Sequence, residues 1–417
     1  MGEDVCMSLY AELAGIKVGR GYPVRVVGVI NLSPESFYKA SVKTTASEVA
    51  SAAQKMVEEG ADAIDVGAMS TAPYLETFVS VSEEIKRLIP AIRTIREAVD
   101  TPVSADTFRG ETAERAIEAG AQIVNDVTGL KGDPVMAKAI SNEGVSGILM
   151  AHERRPGRGD PIERVRAALK ESLEIGDEAG ISRKHVVVDP GIGFFRETGW
   201  KWYEWDTYVL RGLRRLHTLG RPIHVAVSRK SFIGALLNQE RPEERLIGSL
   251  AAAALAVYNG AYIVRTHDVR ETVEAVRLAE KTVGENAPVE EGGLKGEILL
   301  GVEEPSDVEE VMMGFNVYDE GARLMGKKGV FKIIALRGVS NPLALILKQE
   351  MLAAGGEAAL PKGAILCRGD RADVLAMGTL SQLERVAKKL ERMSESPTPL
   401  RSDLKDVSNL MRRLIHG

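Results

Sequence analysis

From about residue 24 the chain alternates short runs of β-branched and other apolar residues with longer stretches whose apolar positions recur every three or four residues, and this alternation persists to about residue 283. Eight runs read as strands: VRVVGVI, AIDVG, PVSADT, QIVNDV, GILMA, VVVDP, IHVAVS and YIVRTH. The stretches between them, such as SEVASAAQKMVEEG, EEIKRLIPAIRTIREAV and ETAERAIEAG, read as helices, many closed by a glycine suited to a helix C-terminus. Strands that are apolar throughout, each followed by a helix, predict a parallel sheet covered by helices. Eight such units within about 260 residues predict an α/β fold of the TIM (β/α)8 barrel type. An open doubly wound sheet satisfies the same periodicity, and the polar residues decide between the two. Nearly every run carries its chemistry toward its C-terminal end: Asn31, Asp65, Asp106, Asn125 with Asp126, His152, Asp189, Ser228 with Lys230, and Arg265 with His267. These side chains converge only if the strand ends face a common centre, which is how a barrel builds an active site.

The periodicity lapses at NAPVEEGGLKGE, where Pro, Gly and Glu replace it. The chain therefore divides into a barrel over 1–285, a linker over 286–297 and a smaller α/β domain over 298–417. In the last, KIIALRGV, EAALP, AILC and DVLAMG read as strands, and PLALILKQEMLAAG and SQLERVAKKLERM as helices. A final amphipathic helix, LKDVSNLMRRLIHG, either packs back on this domain or binds a partner.

Composition narrows the picture. The 417 residues exceed what one typical core accommodates, and 44% apolar with 27% charged residues is an ordinary globular balance. A net charge of -5 offers no global attraction for nucleic acid, and no zinc-finger or RNA-binding motif accompanies it. Cys6 and Cys367 are too far apart in sequence for a disulfide framework or a cysteine metal cluster, which fits a reducing, cytoplasmic setting. The start, MGEDVCMSLYAELAG, lacks the basic and apolar regions of a secretory signal, and the longest apolar run, LAAAALAV, is too short to cross a membrane.

DVGAMSTAP, DTFRGET, NDVTG, DPGIGF, SRKSFIG and RTHDVRET follow one another in a fixed order, preceded by VGVINLSPESF at the first strand. In these motifs residues 24–283 resemble the dihydropteroate synthase family, pterin-binding barrels that join a dihydropterin methyl diphosphate to an aromatic amine and release diphosphate. The resemblance implies roles residue by residue. Asp106, Asn125 and Asp189 would read the amino-pyrimidine edge of the pterin, carboxylates accepting from N–H groups and the amide both donating and accepting. Met150 and Phe194 would pack on the pterin face, and Lys230 would donate to a carbonyl or ring nitrogen. Asn31, Arg265 and His267 would handle the diphosphate, with Lys230 counted beside them in catalysis and Asn31 supplying an oxygen to Mg²⁺. Phe37, Thr71, Pro73 and Ser228 would enclose the amine and diphosphate together with Arg265 and His267. The resemblance also implies a homodimer, with small-molecule substrates as the other partners. Taken alone, each motif has a plainer reading: SRKS as a surface turn, Asp268 with Glu271 as a helix cap, Met150 and Phe194 as core.

Some positions depart from the family. Ala72 stands in STAP where the family has an arginine, SPESFYKASV lacks the usual acidic, glycine-rich continuation, and the polar cluster of AHERRPG is rearranged. FFRETGWKWYEW holds Trp200, Trp202 and Trp205, as a wall for a larger amine or as packing under a loop. The stretch from LILKQEM to RVAKKL resembles the segment that precedes the barrel in some bacterial members, here following it. Two rival functions remain in view. A methyltetrahydrofolate-dependent corrinoid methyltransferase shares the pterin barrel but shows SNVSFG where this chain has SRKSFIG. A non-catalytic pterin-binding protein draws its support from Ala72.

Overall fold

The computed structural model describes residues 9–33, 42–71, 79–196, 198–283, 289–291, 294–296, 298–365 and 370–416. The chain opens with an antiparallel hairpin, β1 (Tyr10–Leu13) and β2 (Ile16–Gly19). Eight parallel strands follow: β3 (Arg25–Asn31), β4 (Ala63–Gly67), β5 (Val103–Asp106), β6 (Ile123–Asp126), β7 (Ser146–Met150), β8 (Val186–Asp189), β9 (Ile223–Ala226) and β10 (Ala261–Thr266). They close into a barrel in the order β10-β3-β4-β5-β6-β7-β8-β9. All eight strands expected from the apolar runs are present, AIDVG with the expected limits.

Around the ring lie α1 (Ala46–Glu58), α2 (Val81–Ala98), α3 (Gly110–Glu118), α4 (Pro134–Glu143), α5 (Pro161–Glu178), α6 (Trp202–Arg211), α7 (Ser231–Leu237), α8 (Leu246–Tyr258) and α9 (Val269–Val283). Several begin on the devices their sequences supply: Thr45 and Glu48 form a reciprocal capping box on α1, and Asp160 caps α5 just ahead of Pro161. The helices bury one face each against the outward-pointing residues of the strands.

The β1–β2 hairpin was not expected from the sequence. Its two turn residues, Ala14 and Gly15, both have positive φ (48° and 84°), the geometry of the tight turns that fit hairpin twist. Alanine there hides the signal that Asn-Gly would have given. Ala11, Leu13 and Val18 pack with Val27, Ala63, Ile123, Ile148, Val187 and Ile263, so the hairpin stoppers the N-terminal end of the barrel with apolar side chains. Ser146 fastens it, accepting from the Ala14 N–H at 3.0 Å and donating to the Glu12 carbonyl at 3.2 Å.

Within the stretch read as a linker, β11 (Val289–Glu291) and β12 (Leu294–Gly296) pair antiparallel. The chain forms two compact units, residues 1–301 and 302–417. In the second, α10 (Pro305–Gly314) and α11 (Asp319–Gly329) precede β13 (Phe331–Ser340), α12 (Asn341–Ala353), β14 (Glu357–Ala359), α13 (Lys362–Ile365), β15 (Arg371–Thr379), α14 (Leu380–Glu395) and α15 (Arg401–His416). The strands form an antiparallel sheet ordered β13-β15-β14. Two expectations need correction here. AILC does not begin a strand: Ala364 and Ile365 belong to α13, started by Pro361, whose carbonyl accepts the Ala364 N–H at 3.0 Å, while residues 366 and 367 lie outside the described residues. The helices α10 and α11 were missed, because their apolar residues are few and half-exposed.

The final helix packs back. Leu404, Val407, Met411 and Ile415 recur at helical spacing and are buried in the core of the second unit with Leu343, Leu347, Leu383 and Leu390. Met411 is fully buried, and Met411→Ala is expected to destabilise this unit by about 2–5 kcal/mol. Hydrogen exchange measures it: amides of α14 should open more often while those of the barrel strands keep their protection.

Candidate active site

At the C-terminal end of the barrel, side chains from the strands meet in one cleft of about 900 Å³, counting the space open to solvent. β3 contributes Asn31, β5 Asp106, β6 Asn125, β7 Met150, β8 Asp189 and β10 Arg265, while Thr71, Phe194, Ser228, Lys230 and His267 stand on the loops just beyond the strands. All eleven were singled out from the sequence, and the closed ring brings them together. Phe37 and Pro73, the other two expected site residues, lie outside the described residues, as does Ala72. Asp126 and His152 do not join them. The Asp126 carboxylate accepts from the Thr128 hydroxyl and from the Thr128 and Leu130 N–H groups, at 2.7 Å each, and His152 lines a neighbouring cleft with Glu153 and Arg164.

The centre of the site is ionic. Arg265 donates from Nε to Asp65 Oδ2 at 2.6 Å and from Nη2 to Asp106 Oδ2 at 2.8 Å, and Asn125 donates to the same Asp65 oxygen at 3.2 Å. Asp65, noted in the sequence only as a polar residue on its strand, is fully buried and ties three strands through their side chains. Burial pushes the Asp106 carboxyl above its usual range, opposed by Arg265 and reinforced by the charge of Asp65.

The SRKS turn resolves residue by residue. Arg229 sits in the left-handed region (φ 56°) and gives its guanidinium to Asp268, at 2.9 Å from Nε and 2.7 Å from Nη2. Both oxygens of Asp268, read from the sequence as a helix cap, are thus engaged by Arg229. Ser228 and Lys230, on either side of it, both line the cleft. The Lys230 ammonium stands 4.5 Å from the centre of the Phe194 ring. Burial lowers it to about 8, with Arg265 and Arg196 adding to the shift and Asp189 and Asp206 opposing it.

Ser228 also positions His267. The imidazole Nδ1 lies 3.0 Å from Ser228 Oγ and Nε2 lies 3.3 Å from Asn31 Nδ2. Burial, then the cations Arg265, Arg229 and Lys230, lowers His267 to about 3, so the ring is neutral at physiological pH. A neutral ring satisfies both contacts if Nδ1 donates to Ser228 and Nε2 accepts from the Asn31 amide. The nitrogen of Asn31 then faces the histidine and its oxygen is turned the other way.

Two further groups escaped the sequence reading. His224 is buried, lines the cleft, and reaches Asp189 Oδ2 from Nδ1 at 2.7 Å. It shares the inward side of β9 with Ala226 at a spacing of two, which is the signal that could have found it. Asp206 on α6 accepts the Gly193 N–H at 2.8 Å and so holds the loop that carries Phe194; burial raises it to about 6. No spacing in the sequence joins Asp206 to that loop. Of the tryptophans of the next segment, Trp205 is a packing element, 1% exposed, stacked on Phe195 at 5.0 Å and under the Arg164 guanidinium at 4.5 Å, whereas Trp200 is exposed. The rearranged AHERRPG loop ties Glu153 to Arg164 by paired bonds of 2.8 and 2.6 Å.

Comparison with known proteins gives one answer. The family model described as pterin binding enzyme matches residues 27–267, inside the barrel unit. Over 256 residues the chain is 37% identical to the dihydropteroate synthase of Clostridium beijerinckii, an alignment covering 61% of this chain and 93% of that one. It is 36% identical to the Bacillus subtilis dihydropteroate synthase over 255 residues, covering 61% and 87%. Among solved structures, Xanthomonas albilineans dihydropteroate synthase with 4-aminobenzoic acid aligns at 35% identity and a TM-score of 0.59, covering 66% of this chain and 98% of that one.

Removing the central cation leaves two carboxylates facing each other in a buried setting. Arg265→Leu is expected to cost about 3–5 kcal/mol of barrel stability, read as a lowered thermal midpoint, because breaking a buried pair strands its partner. A midpoint equal to that of the unaltered protein would show that the ionic centre does not hold the mouth together.

Proposed function

Because the chain belongs to the pterin binding enzyme family, we propose that its barrel performs the dihydropteroate synthase reaction, in which an aromatic amine displaces diphosphate from a dihydropterin methyl diphosphate. One observation carries the reading: Asp106, Asn125, Asp189 and Lys230, from four different strands or strand ends, line a single cleft at the catalytic end of the barrel. Their acceptors and donors match the edge of an amino-pyrimidine. Met150 and Phe194 offer apolar surfaces for the flat ring, and the Lys230 ammonium donates to a carbonyl or ring nitrogen.

In the reaction the methylene C–O bond breaks, a C–N bond forms from the amine nitrogen, the amine loses a proton, and diphosphate leaves. Negative charge grows on the leaving oxygens, so donors fixed there act most strongly in the transition state. Arg265 is held by Asp65 and Asp106 through Nε and Nη2, which steadies the guanidinium and leaves its other N–H groups to donate to the leaving group. Asn31, Ser228 and the neutral His267 form a hydrogen-bonded row beside it. No protein nucleophile is required. Thr71 and Ser228 border the amine.

Mg²⁺ belongs to the same reading. Among the described residues there is no cluster of three or more His, Cys, Asp or Glu arranged to hold a metal. That suits an ion which keeps several waters and binds jointly with phosphate, taking one protein oxygen from Asn31. When bound, the ion would neutralise charge on the diphosphate.

We place the enzyme in the cytoplasm as a homodimer. No helix among the described residues is long and apolar enough to cross a membrane. On α8, Ile247, Ala251, Leu255 and Tyr258 form an exposed apolar stripe, with Ile247 79% exposed, and a second copy of the chain is the occupant that supports the reading. For the second unit we favour a supporting role over a second activity, since it has an apolar core of its own and lacks a glycine-rich phosphate loop.

The deciding assay is diphosphate release from dihydropterin methyl diphosphate with Mg²⁺, comparing p-aminobenzoate with larger aryl amines. Release that stops on chelation is expected, and tight pterin binding without release under any amine would leave a binding protein only. Lys230→Ala should weaken pterin affinity at least about tenfold by calorimetry, since a charged donor to the ligand is lost, while circular dichroism stays unchanged. Leu255→Glu should shift the protein from dimer to monomer in sedimentation velocity; a dimer that persists would place the interface elsewhere.

A further inference from the structure

The two ring nitrogens of His224, which lines the cleft, have unlike surroundings. Nδ1 faces Asp189 Oδ2 at 2.7 Å, whereas Nε2 is buried and has no hydrogen-bond partner among the described residues. A buried polar atom left unpaired is costly, and inside a cleft the cost is removed by a ligand that supplies the missing partner. Each oxygen of Asp189 has one such partner, Oδ2 facing His224 Nδ1 and Oδ1 accepting the Gly191 N–H at 2.7 Å, which leaves the carboxylate further lone pairs toward the cleft. The pair therefore presents outward through the histidine as well as through the carboxylate. In its neutral form, with the Nδ1 proton directed at Asp189, His224 offers a lone pair at Nε2.

Asp106 Oδ1 is likewise buried without a partner. Asp106 and His224 lie on β5 and β9, well apart in the ring order of the barrel, so the cleft displays unpaired acceptors at separate points of its wall. A dihydropterin carries N–H donors on both of its fused rings. We propose that His224 is a substrate-binding residue: its Nε2 accepts a hydrogen bond from an N–H of the dihydropterin, while its Nδ1–H fixes the orientation of Asp189. The proposal rests on the pterin reading of the cleft and adds a specific recognition contact to it. The histidine selects for a bicyclic ligand with an N–H donor at that place and against one bearing an acceptor there.

Two experiments settle it. In the unaltered protein, the Nε2 nitrogen resonance of His224 should move when dihydropterin diphosphate is added and stay still with p-aminobenzoate alone. Asparagine places its amide nitrogen where Nδ1 lies, so His224→Asn keeps a donor for Asp189 and deletes Nε2. Both His224→Asn and His224→Leu should then lose roughly tenfold in dihydropterin affinity by calorimetry, with kcat at saturating pterin changed less than about threefold. An unmoved Nε2 resonance in a protein that binds the pterin overturns the assignment, even if the variants do not fold. Affinities equal to the unaltered protein in both variants overturn it as well. Absence of any pterin binding by the unaltered protein sinks the pterin reading, and this contact falls with it.

Discussion

A closed ring of parallel strands leaves its polar strand ends nowhere to go but toward one another. At this mouth the constraint is met by a single cation: Arg265 lies between Asp65 and Asp106, with Asn125 bonded to the same Asp65 oxygen. The bonds span four strands, and three of the four residues also line the substrate cleft. An arginine is suited to that place because its planar fork serves two carboxylates at once and cannot lose its proton. Pairing of this kind adds little stability against an apolar alternative, but it is severe in its demands, since each member is costly once its partner is gone. The mouth therefore has one arrangement of its charges, and the cleft inherits its shape from it.

Around that centre, the groups of the site hold one another in place. Asp189 is aimed by His224 and by the Gly191 N–H, and Phe194 hangs from a loop that Asp206 grips at Gly193. Gly193 itself has φ 87°, and a Cβ there would come within 3.1 Å of the Lys230 side chain. The close approach of loop and lysine thus depends on a residue with no side chain at all. Arg229 works in the opposite direction: by turning away to Asp268 in a left-handed conformation, it frees its two neighbours to face the cleft.

Much of this was legible in the chain. The strands showed because a strand buried on both faces is a nearly continuous apolar run, and VRVVGVI or VVVD admits few other readings. The polar ends showed because each interrupts such a run. What was not legible depends on pairing across the ring. Asp65 could be seen to lie on its strand, but not to be the partner of a residue two hundred positions later. His224 lay in plain view within IHVAVS, yet only its nearness to Asp189 distinguishes it from a core histidine. Asp206 sits in an aromatic-rich helix whose tryptophans drew attention instead. The N-terminal hairpin escaped because Ala14 adopts a positive φ normally reserved for Gly, Asn or Asp, and AILC misled because a proline ahead of it starts a helical turn.

The seam of the barrel is the place where its last strand meets its first. There Ile263 pairs with Arg25 and Val264 with Val26, so partners come from opposite ends of the barrel sequence. While the chain is still emerging from the ribosome, β3 has only one of its two neighbours, and the apolar stopper of Ala11, Leu13 and Val18 lacks the Ile263 side chain against which it finally rests. Contacts of such long sequence separation form slowly, and unpaired strand edges are prone to meet other chains in the interval. The nascent barrel is consequently an open, adhesive sheet until residue 266 or so has been made, and the seam is where a folding chaperone would have the most to protect.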